Sequence, residues 1–332
     1  MRGKVLSCLL SKLDIRPILI DVGASGAPPE VWEGIAQRSI YVGFDPDLRD
    51  IHEVAWSRFH KAIFVNEAVT DKEASDEATF YLTKSPNCSS TLKPDSQSLS
   101  NYLFCDLFLV EREARVRATT LESVMERLCL PRIDWLKIDS QGTDLRIFNS
   151  LKGEIRSGVL AIDIEPGLMD AYVGEDLFVD AHRDLIGGGF WLSNLRVGGA
   201  LRMRKSALEA LTTIKKSNKR AEQAFAEKTV KKSPGWCEAR YLRTIEWLAE
   251  GEFDRTRYVL LWIFSMLDGQ LGFALDLAIE YERAFRSDDI SQLMKEEPVR
   301  LMIRRLRRRS LLDIGKAILP TGVKRWLRES IE

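Results

Sequence analysis

The first 205 residues alternate short apolar runs with helical patterns, and this alternation limits the fold more than any other feature of the sequence. Nearly continuous apolar runs are typical of parallel strands that are covered on both faces. Helical stretches such as Thr120–Leu128 lie between several of these runs, which predicts a doubly wound α/β sheet. The predicted strands are Pro17–Val22, Ile40–Phe44, Ala62–Val65, Ile133–Ile138 and Val159–Ile164.

The end of this region follows a different pattern. Two strand-like runs, Phe190–Val197 and Ala200–Arg204, flank Gly198 and Gly199. Two such runs joined by paired glycines predict an antiparallel hairpin. Sheets of dinucleotide dehydrogenases usually end with a parallel strand, so a closing hairpin favours another class of Rossmann-like protein.

These patterns divide the chain into an N-terminal helical segment over residues 1–16, an α/β domain over 17–205 and a helical region over 206–332. Residues 70–115 depart from the alternation, although Thr79–Leu82 is strand-like. We expect an insertion there, beside the strand ends where ligands bind in open α/β sheets. The clearest C-terminal helices are predicted at Ala239–Ala249, Arg257–Leu267 and Phe273–Phe285.

Charge and cysteine usage exclude several function classes. The chain has 49 basic and 49 acidic residues, and this balance does not favour a nucleic-acid partner. Its five cysteines form no CxxC pair, which argues against a zinc site or a disulfide framework and favours a reducing, cytoplasmic location. The N-terminus lacks the pattern of a signal peptide, and the longest apolar run, Tyr258–Leu267, is too short to span a bilayer.

The last residues are strongly basic. Between 299 and 328, apolar positions such as Val299, Met302, Ile303 and Leu306 recur at helical spacing beside many arginines. One interpretation is an amphipathic helix that contacts an anionic membrane from its inner, cytoplasmic face. The alternative is a helix that packs on its own domain and keeps its basic face in solvent.

Small and acidic residues at the ends of the first two strands predict a nucleoside-binding site. The first strand runs into Asp21-Val-Gly-Ala-Ser-Gly26, and Pro28 and Pro29 then suit the start of a helix. Asp45 follows the second strand, where a carboxylate can accept hydrogen bonds from ribose hydroxyls. Asp21 favours S-adenosylmethionine over NAD, because a carboxylate suits an ammonium group better than a pyrophosphate. Its alternative role is to cap the turn.

Several segments between residues 17 and 200, among them Asp21–Ala24, Gly43–Pro46 and Ile133–Phe148, resemble the FkbM family of S-adenosylmethionine-dependent methyltransferases. They occur in the order of the family's motifs, and the resemblance implies the Rossmann-like class I methyltransferase sheet. Two departures are Ser25-Gly-Ala27, where the family usually has Asn and a later Gly, and Gln141, where Glu is usual. The matching segments are Asp21–Ala24, Gly43–Pro46, Asn66–Val69, Cys88–Leu92, Thr119–Glu122, Ile133–Phe148, Ile162–Glu165 and Tyr172–Phe178.

The resemblance implies roles for the cofactor-binding residues. Asp21 would orient the amino end of S-adenosylmethionine, and Asp45 would bind the ribose. Glu67 and Ala68 would lie near the adenine, although Glu67 also suits a solvated strand end. The methionine side would be lined by Gly23, Ala24, Ser25 and Gly26.

The catalytic prediction rests on the segment Lys137-Ile-Asp139. These two charged residues share one face of a strand, and Asp139 lies at its tip. Asp139 can remove a proton from a hydroxyl acceptor or bind a cation that polarises it, and Lys137 can stabilise the alkoxide. A buried ion pair is the structural alternative. Glu165 is a candidate contact for the acceptor or a divalent metal, and Ser89 and Ser90 are candidate acceptor contacts.

We therefore expect an O-methyltransferase that acts on a hydroxyl of a sugar, glycan or secondary metabolite, the acceptor class following from the resemblance. Because Gln141 replaces an acid, a noncatalytic scaffold that binds a partner through its helical C-terminal region stays an alternative. An NAD-dependent oxidoreductase is disfavoured by Asp21 and the closing hairpin. The sequence indicates neither a definite metal site nor an oligomeric state.

Overall fold

The computed structural model describes residues 2–47, 49, 56–71, 76–216, 218–251 and 253–318. The chain divides into two compact units, Met1–Leu261 and Trp262–Glu332. The strands are β1 Ile18–Val22, β2 Ile40–Phe44, β3 Lys61–Val65, β4 Ala68–Val69, β5 Glu77–Thr83, β6 Val110–Thr119, β7 Trp135–Ile138, β8 Ala161–Ile164, β9 Phe190–Ala200 and β10 Ser233–Arg243. The helices are α1 Arg2–Lys12, α2 Ser96–Leu99, α3 Leu121–Arg127, α4 Asp144–Ser150, α5 Gly153–Gly158, α6 Phe178–Gly187, α7 Lys205–Lys215, α8 Lys219–Thr229, α9 Ile245–Glu250, α10 Arg255–Asp268, α11 Leu271–Phe285 and α12 Asp289–Ile318.

The described part of the first unit contains a seven-stranded sheet in the order β3-β2-β1-β7-β8-β10-β9. The first five strands in this order, β3, β2, β1, β7 and β8, pair in parallel. Strand β10 runs antiparallel to both of its neighbours, β8 and β9. This confirms the predicted α/β fold with a mostly parallel sheet and an antiparallel closing pair. All five predicted strands are present, with ends that differ by no more than two residues.

The two faces of the sheet are covered differently. One face packs in an apolar core against side chains of α3, α4 and α6. On the other face, the rings of Tyr41 and Trp135 lie 6.2 and 6.0 Å from the ring of Trp32. Trp32 lies in the first of two short 3₁₀ turns, Glu30–Gly34 and Ala36–Arg38, where the sequence predicts the start of a helix. The chain must return to β2 at Ile40, so these turns cover only part of this face.

The closing antiparallel pair has a different second strand from the predicted one. Gly198 and Gly199 lie inside β9 and form no turn, and β9 pairs with β10 over Ser233–Arg243. A Cβ on Gly198 would lie 2.2 Å from the Trp236 ring, so the glycine admits a cross-strand indole. The predicted helix Ala239–Ala249 is wrong over its first half, because Cys237, Ala239 and Tyr241 bury alternate side chains of a strand.

The sheet therefore takes its last strand from beyond residue 205, where the sequence analysis ends the α/β domain. The region after that position is not helical throughout, since β10 lies within it. The other two predicted C-terminal helices are present as α10 and α11.

Residues 68–119 form a second sheet, with the strand order β4-β6-β5. Its strand β5 contains the predicted Thr79–Leu82 and pairs antiparallel with β6. A 3₁₀ turn over Pro86–Cys88 follows β5, and it brings this insertion to the carboxyl ends of the parallel strands. The insertion thus lies where the sequence analysis expects it.

Helix α12 contains the first part of the predicted basic stripe. Val299, Ile303 and Leu306 are 40%, 47% and 65% exposed, so the apolar positions are open to solvent in this part of the second unit. Residues 319–328 of the predicted stripe lie outside the described residues, and its contact with a membrane stays a prediction. Among the described residues, no helix is both long enough and apolar enough to cross a bilayer.

Candidate active site

A cavity of about 380 Å³, called here the strand-end cavity, opens at the carboxyl ends of β1, β2, β7 and β8. The insertion closes one side through Phe80, Pro86 and Asn87. Of the predicted site residues, eight line this cavity: Gly23, Ser25, Asp45, Glu67, Ala68, Ser89, Asp139 and Glu165. Asp21, Ala24, Gly26, Ser90 and Lys137 are not among its lining residues.

The glycine turn after β1 brings the backbone close to the cavity. Gly23 has a φ of +77°, and the amides of Gly23 and Ala24 both donate to the carbonyl of Phe44 over 2.9 Å. A Cβ on Gly23 would lie 2.1 Å from the carbonyl oxygen of Asp139. Only glycine fits this position, which leaves an open, backbone-lined cradle of the kind that a cofactor can approach closely.

Asp45 lies at the tip of β2 and is 7% exposed. Its Oδ1 accepts from the amide of Asp47 over 2.7 Å, and Asn66 donates to its carbonyl over 2.8 Å. Burial is the main cause that raises the pKa of Asp45 to about 7, with the charges of Asp47 and Asp139 adding to it. This fixed carboxylate is placed as the sequence predicts for a ribose contact.

We expect cofactor binding to strengthen as the pH rises through 7, because ribose hydroxyls donate to the ionised form of Asp45. One pH unit below a pKa of about 7, the ionised fraction is about a tenth. The dissociation constant for S-adenosylhomocysteine, measured by calorimetry, should therefore be about tenfold higher at pH 6 than at pH 8. Asp45→Asn should bind more weakly and lose this dependence; an equally steep profile in the variant would contradict the role.

The predicted adenine end carries a carboxylate that is already paired. Glu67 is 8% exposed, and Arg127 donates to both of its oxygens over 3.2 and 2.9 Å. Ala68 and the apolar side chains of Val69 and Phe80 line the cavity beside it. This mixture of a fixed acid and an apolar wall suits a planar base, and the adenine contacts stay predictions.

Asp21 and Lys137 form an ion pair behind the glycine turn. Asp21 is 2% exposed; one oxygen accepts from the Tyr41 hydroxyl and the other from Lys137 Nζ, both over 2.9 Å. Burial raises the pKa of Asp21, while the charge of Lys137 lowers it. Lys137 Nζ also donates to the Gly23 carbonyl over 3.2 Å and lies 3.9 Å from Asp139. The pair supports the glycine turn. Because Asp21 does not line the cavity, its position does not favour a direct contact with a ligand.

Asp139 is held by Gln141, the residue that stands where the family usually has Glu. The amide of Gln141 donates to Asp139 Oδ1 over 2.7 Å, and its carbonyl oxygen accepts from the Tyr172 hydroxyl over 2.9 Å. Gln141 has a φ of +58°, and the Ser90 hydroxyl donates to its backbone carbonyl over 2.7 Å. The network orients the Asp139 carboxylate through Oδ1, and Oδ2 takes no part in the contact with Gln141.

Glu165 follows β8 and contacts the same carboxylate. Burial, followed by the charge of Asp139 and a hydrogen bond with it, raises the pKa of Glu165 well above its usual range. The backbone amide of Glu165 donates to Asp144 over 2.8 Å. Burial and the neighbouring Asp139 thus favour the protonated form of Glu165. In the described part of the chain, no three His, Cys, Asp or Glu side chains are grouped to hold a metal ion.

The two candidate acceptor serines have different positions. The Ser89 hydroxyl lies in the cavity wall and accepts from Arg49 over 3.2 Å. Ser90 is fully buried and supports the Gln141 backbone. Sequence reasoning missed Tyr172 and Phe80, although Phe80 lies in the predicted strand Thr79–Leu82. Tyr172 begins the family-like segment Tyr172–Phe178, but its contact with Gln141 spans 31 residues, and the segment alone does not predict that contact.

The cavity fits S-adenosylmethionine, because it combines the Gly23 cradle, the Asp45 carboxylate and an apolar wall at Phe80. Residues 36–173 match the family model of the methyltransferase FkbM domain. The match includes Asp45, Asp139 and Glu165, and it begins after the glycine turn. A search of curated proteins finds no match. Over residues 36–173 the chain therefore carries a methyltransferase FkbM domain, which supports its assignment as an S-adenosylmethionine-dependent methyltransferase.

Proposed function

We propose that the enzyme transfers the methyl group to a hydroxyl oxygen of a sugar, glycan or secondary metabolite. The observation that carries this proposal is the Asp139 carboxylate, which lines the cavity at the tip of β7 with one oxygen held by Gln141. A hydroxyl is a weak nucleophile until its proton is removed, and a carboxylate within hydrogen-bond reach can remove it. The acceptor class itself follows from the family resemblance.

When bound, S-adenosylmethionine supplies an electrophilic methyl group whose bonding electron pair stays with sulfur. Asp139 accepts the proton of the acceptor hydroxyl as that oxygen forms its new bond to carbon. Glu165, whose raised pKa favours its protonated form, can donate a hydrogen bond to Asp139. Gly23 and Asp45 hold the donor, so the enzyme's main contribution beyond the base is alignment of the two reactants.

Gln141 supports catalysis better than it supports a scaffold role. A glutamate at this position would place another carboxylate against Asp139, and close like charges raise the pKa of one of them. The neutral amide donates to Asp139 instead. The residue that leaves catalysis open in the sequence thus holds the candidate base through a hydrogen bond.

Product chemistry tests the proposal. Incubation with methyl-labelled S-adenosylmethionine and a panel of sugars, oligosaccharides, phenols and amines should yield an alkali-stable methyl ether. Label released by alkali as methanol indicates an ester, and label on nitrogen indicates an amine acceptor; either would contradict the proposal.

Asp139→Asn keeps the size of the side chain and removes the base. Its turnover of the acceptor found by that screen should fall by about 10²-fold or more, because the hydroxyl keeps its proton. Its affinity for S-adenosylhomocysteine should stay within about twofold of the native value. Full turnover by this variant would show that Asp139 is not the base.

A further inference from the structure

A second cavity, of about 560 Å³, lies over one face of the sheet. We name it the sheet-face groove and define it by six side chains from four adjacent strands. Its opposite wall is the loop that follows the glycine turn, at Ala27, Pro29, Glu30 and Val31. The defining side chains are Lys137, Asp163, Asn194, Arg196, Glu238 and Arg240.

Strand register aligns these side chains in rows. Lys137 lies opposite Asp163, Asp163 opposite Arg240, and Arg240 opposite Asn194, so one row crosses β7, β8, β10 and β9. Arg196 and Glu238 form a neighbouring cross-strand pair. Charged residues at alternate positions of central strands are unusual for a doubly wound sheet, whose strands are normally buried on both faces.

The local fold explains why this part of the face is open. The 3₁₀ turn at Glu30–Gly34 packs Trp32 against Trp135, which is fully buried. Arg240 lies over the same indole, with its guanidinium carbon 5.0 Å from the ring centroid. The turn is too short to extend over the next row of side chains. The polar side chains of the strands therefore form the floor of an open groove. A longer helix in place of this turn would cover the strands with apolar contacts.

Asp139 and Glu165 line both the strand-end cavity and the sheet-face groove. Displacement at a methyl carbon requires the nucleophile to approach opposite the leaving sulfur, so donor and acceptor must lie on opposite sides of the transferred group. Two cavities that share Asp139 and Glu165 allow the donor and the acceptor to approach this pair from separate sites. A hydroxyl in the groove can donate to Asp139 while the donor occupies the strand-end cavity.

The chemistry of the groove selects the kind of acceptor. Its cations are already paired: Arg240 donates to both oxygens of Asp163 over 2.7 and 2.9 Å, and Arg196 donates to Glu238. A phosphate would lie against the carboxylates of Asp139, Asp163 and Glu238, beside arginines that are already engaged, and an apolar ligand would bury charges without replacing their water. Neutral hydroxyls both donate and accept hydrogen bonds, so they match the mixed surface.

We propose that the sheet-face groove binds the methyl acceptor and that this acceptor is a neutral, polyhydroxylated sugar. The inference rests on the proposed O-methyltransferase function and narrows its acceptor class. The groove places the sugar on the side of Asp139 away from the cofactor. Asn194, exposed on β9 at the far end of the row, sets the outer limit of the bound sugar.

The test uses the full chain saturated with S-adenosylhomocysteine. Saturation-transfer NMR should detect methyl glycosides of neutral hexoses and deoxyhexoses, but neither a hexose phosphate nor catechol. Asn194→Trp fills the groove and should weaken glycoside binding about tenfold or more. Leu195→Trp is the matched control, because Leu195 is the next residue on β9, is 42% exposed and points to the other face. The control should bind glycosides as the native protein does.

Each outcome bears on one of the two claims. Preferred binding of the phosphate or catechol, no binding of any neutral glycoside, or equal glycoside binding by both variants would overturn the groove assignment. Methyl-ether formation on a sugar that Asn194→Trp leaves unchanged would also overturn the groove but keep the proposed function. Glycoside binding that Asn194→Trp weakens, without methyl transfer to any hydroxyl, would keep the groove as a sugar site but overturn both its role as the acceptor site and the proposed function.

Discussion

Replacing Gly23 with alanine should remove cofactor binding and destabilise the first unit. The added Cβ would lie 2.1 Å from the carbonyl oxygen of Asp139, which is far inside van der Waals contact. Relief requires β1 and β7 to separate at the point where the cradle meets the catalytic strand. Because misplacement by about 1 Å can cost about 10²-fold, the affinity for S-adenosylhomocysteine should fall at least that far.

Gly26→Ala is the matched control for backbone strain. Gly26 has a φ of +76°, close to the +77° of Gly23, but a Cβ there would have no atom within 4 Å. Both variants pay about 1–2 kcal/mol for a left-handed backbone. Gly23→Ala should lose about 1–3 kcal/mol more from the overlap, measured by urea unfolding. Equal losses in the two variants would show that close approach to Asp139 is not what requires glycine at 23.

The parallel half of the sheet could be predicted because its signals are local. Runs such as Ile40–Phe44 are apolar throughout, and the structure buries them between two layers. The same locality explains why Asp45 lies at the cavity, since a carboxylate directly after a parallel strand must lie at the ligand-binding edge. Gly23 follows the same logic, because it is the first residue after β1.

The closing strands could not be predicted locally. Gly198 and Gly199 have the composition of a turn, yet Gly198 is needed because Trp236 packs over it from a strand more than thirty residues away. The alternation of Cys237, Ala239 and Tyr241 is a signal for a strand, but it competes with a helical interpretation of the residues that follow. Pairing with β8 and β9 decides between them.

Parts of the site depend on contacts that no spacing reveals. Asp21 is adjacent to the glycine turn in sequence, but strand alternation directs its side chain to one face of the sheet, where it contacts Tyr41 and Lys137. Gln141 reaches Asp139 only because Tyr172 and Ser90 fix its amide and its backbone from distant elements. The sequence therefore predicts which residues line the strand ends better than which of them face a ligand.

Replacing Lys137 with methionine should destabilise the protein by about 3–5 kcal/mol, because it leaves the buried Asp21 carboxylate without its cation. Asp21 is 2% exposed, and the Tyr41 hydroxyl is its other side-chain donor. Urea unfolding measures the loss. Arg196→Met is the matched control: Arg196 pairs with Glu238 where the two side chains are 76% and 49% exposed, so its loss should stay below about 1 kcal/mol.

A double-mutant cycle separates the two roles predicted for Lys137. If the lysine acts through Asp21, Asp21→Asn with Lys137→Met should recover much of the stability, since no buried charge is then left unpaired. If Lys137 instead stabilises an alkoxide directly, Lys137→Met should lose turnover while unfolding at the native midpoint, and Asp21→Asn should add an independent loss. Because Lys137 Nζ lies 2.9 Å from Asp21 and 3.9 Å from Asp139, we expect coupling to Asp21, which makes the lysine a support of the Gly23 turn.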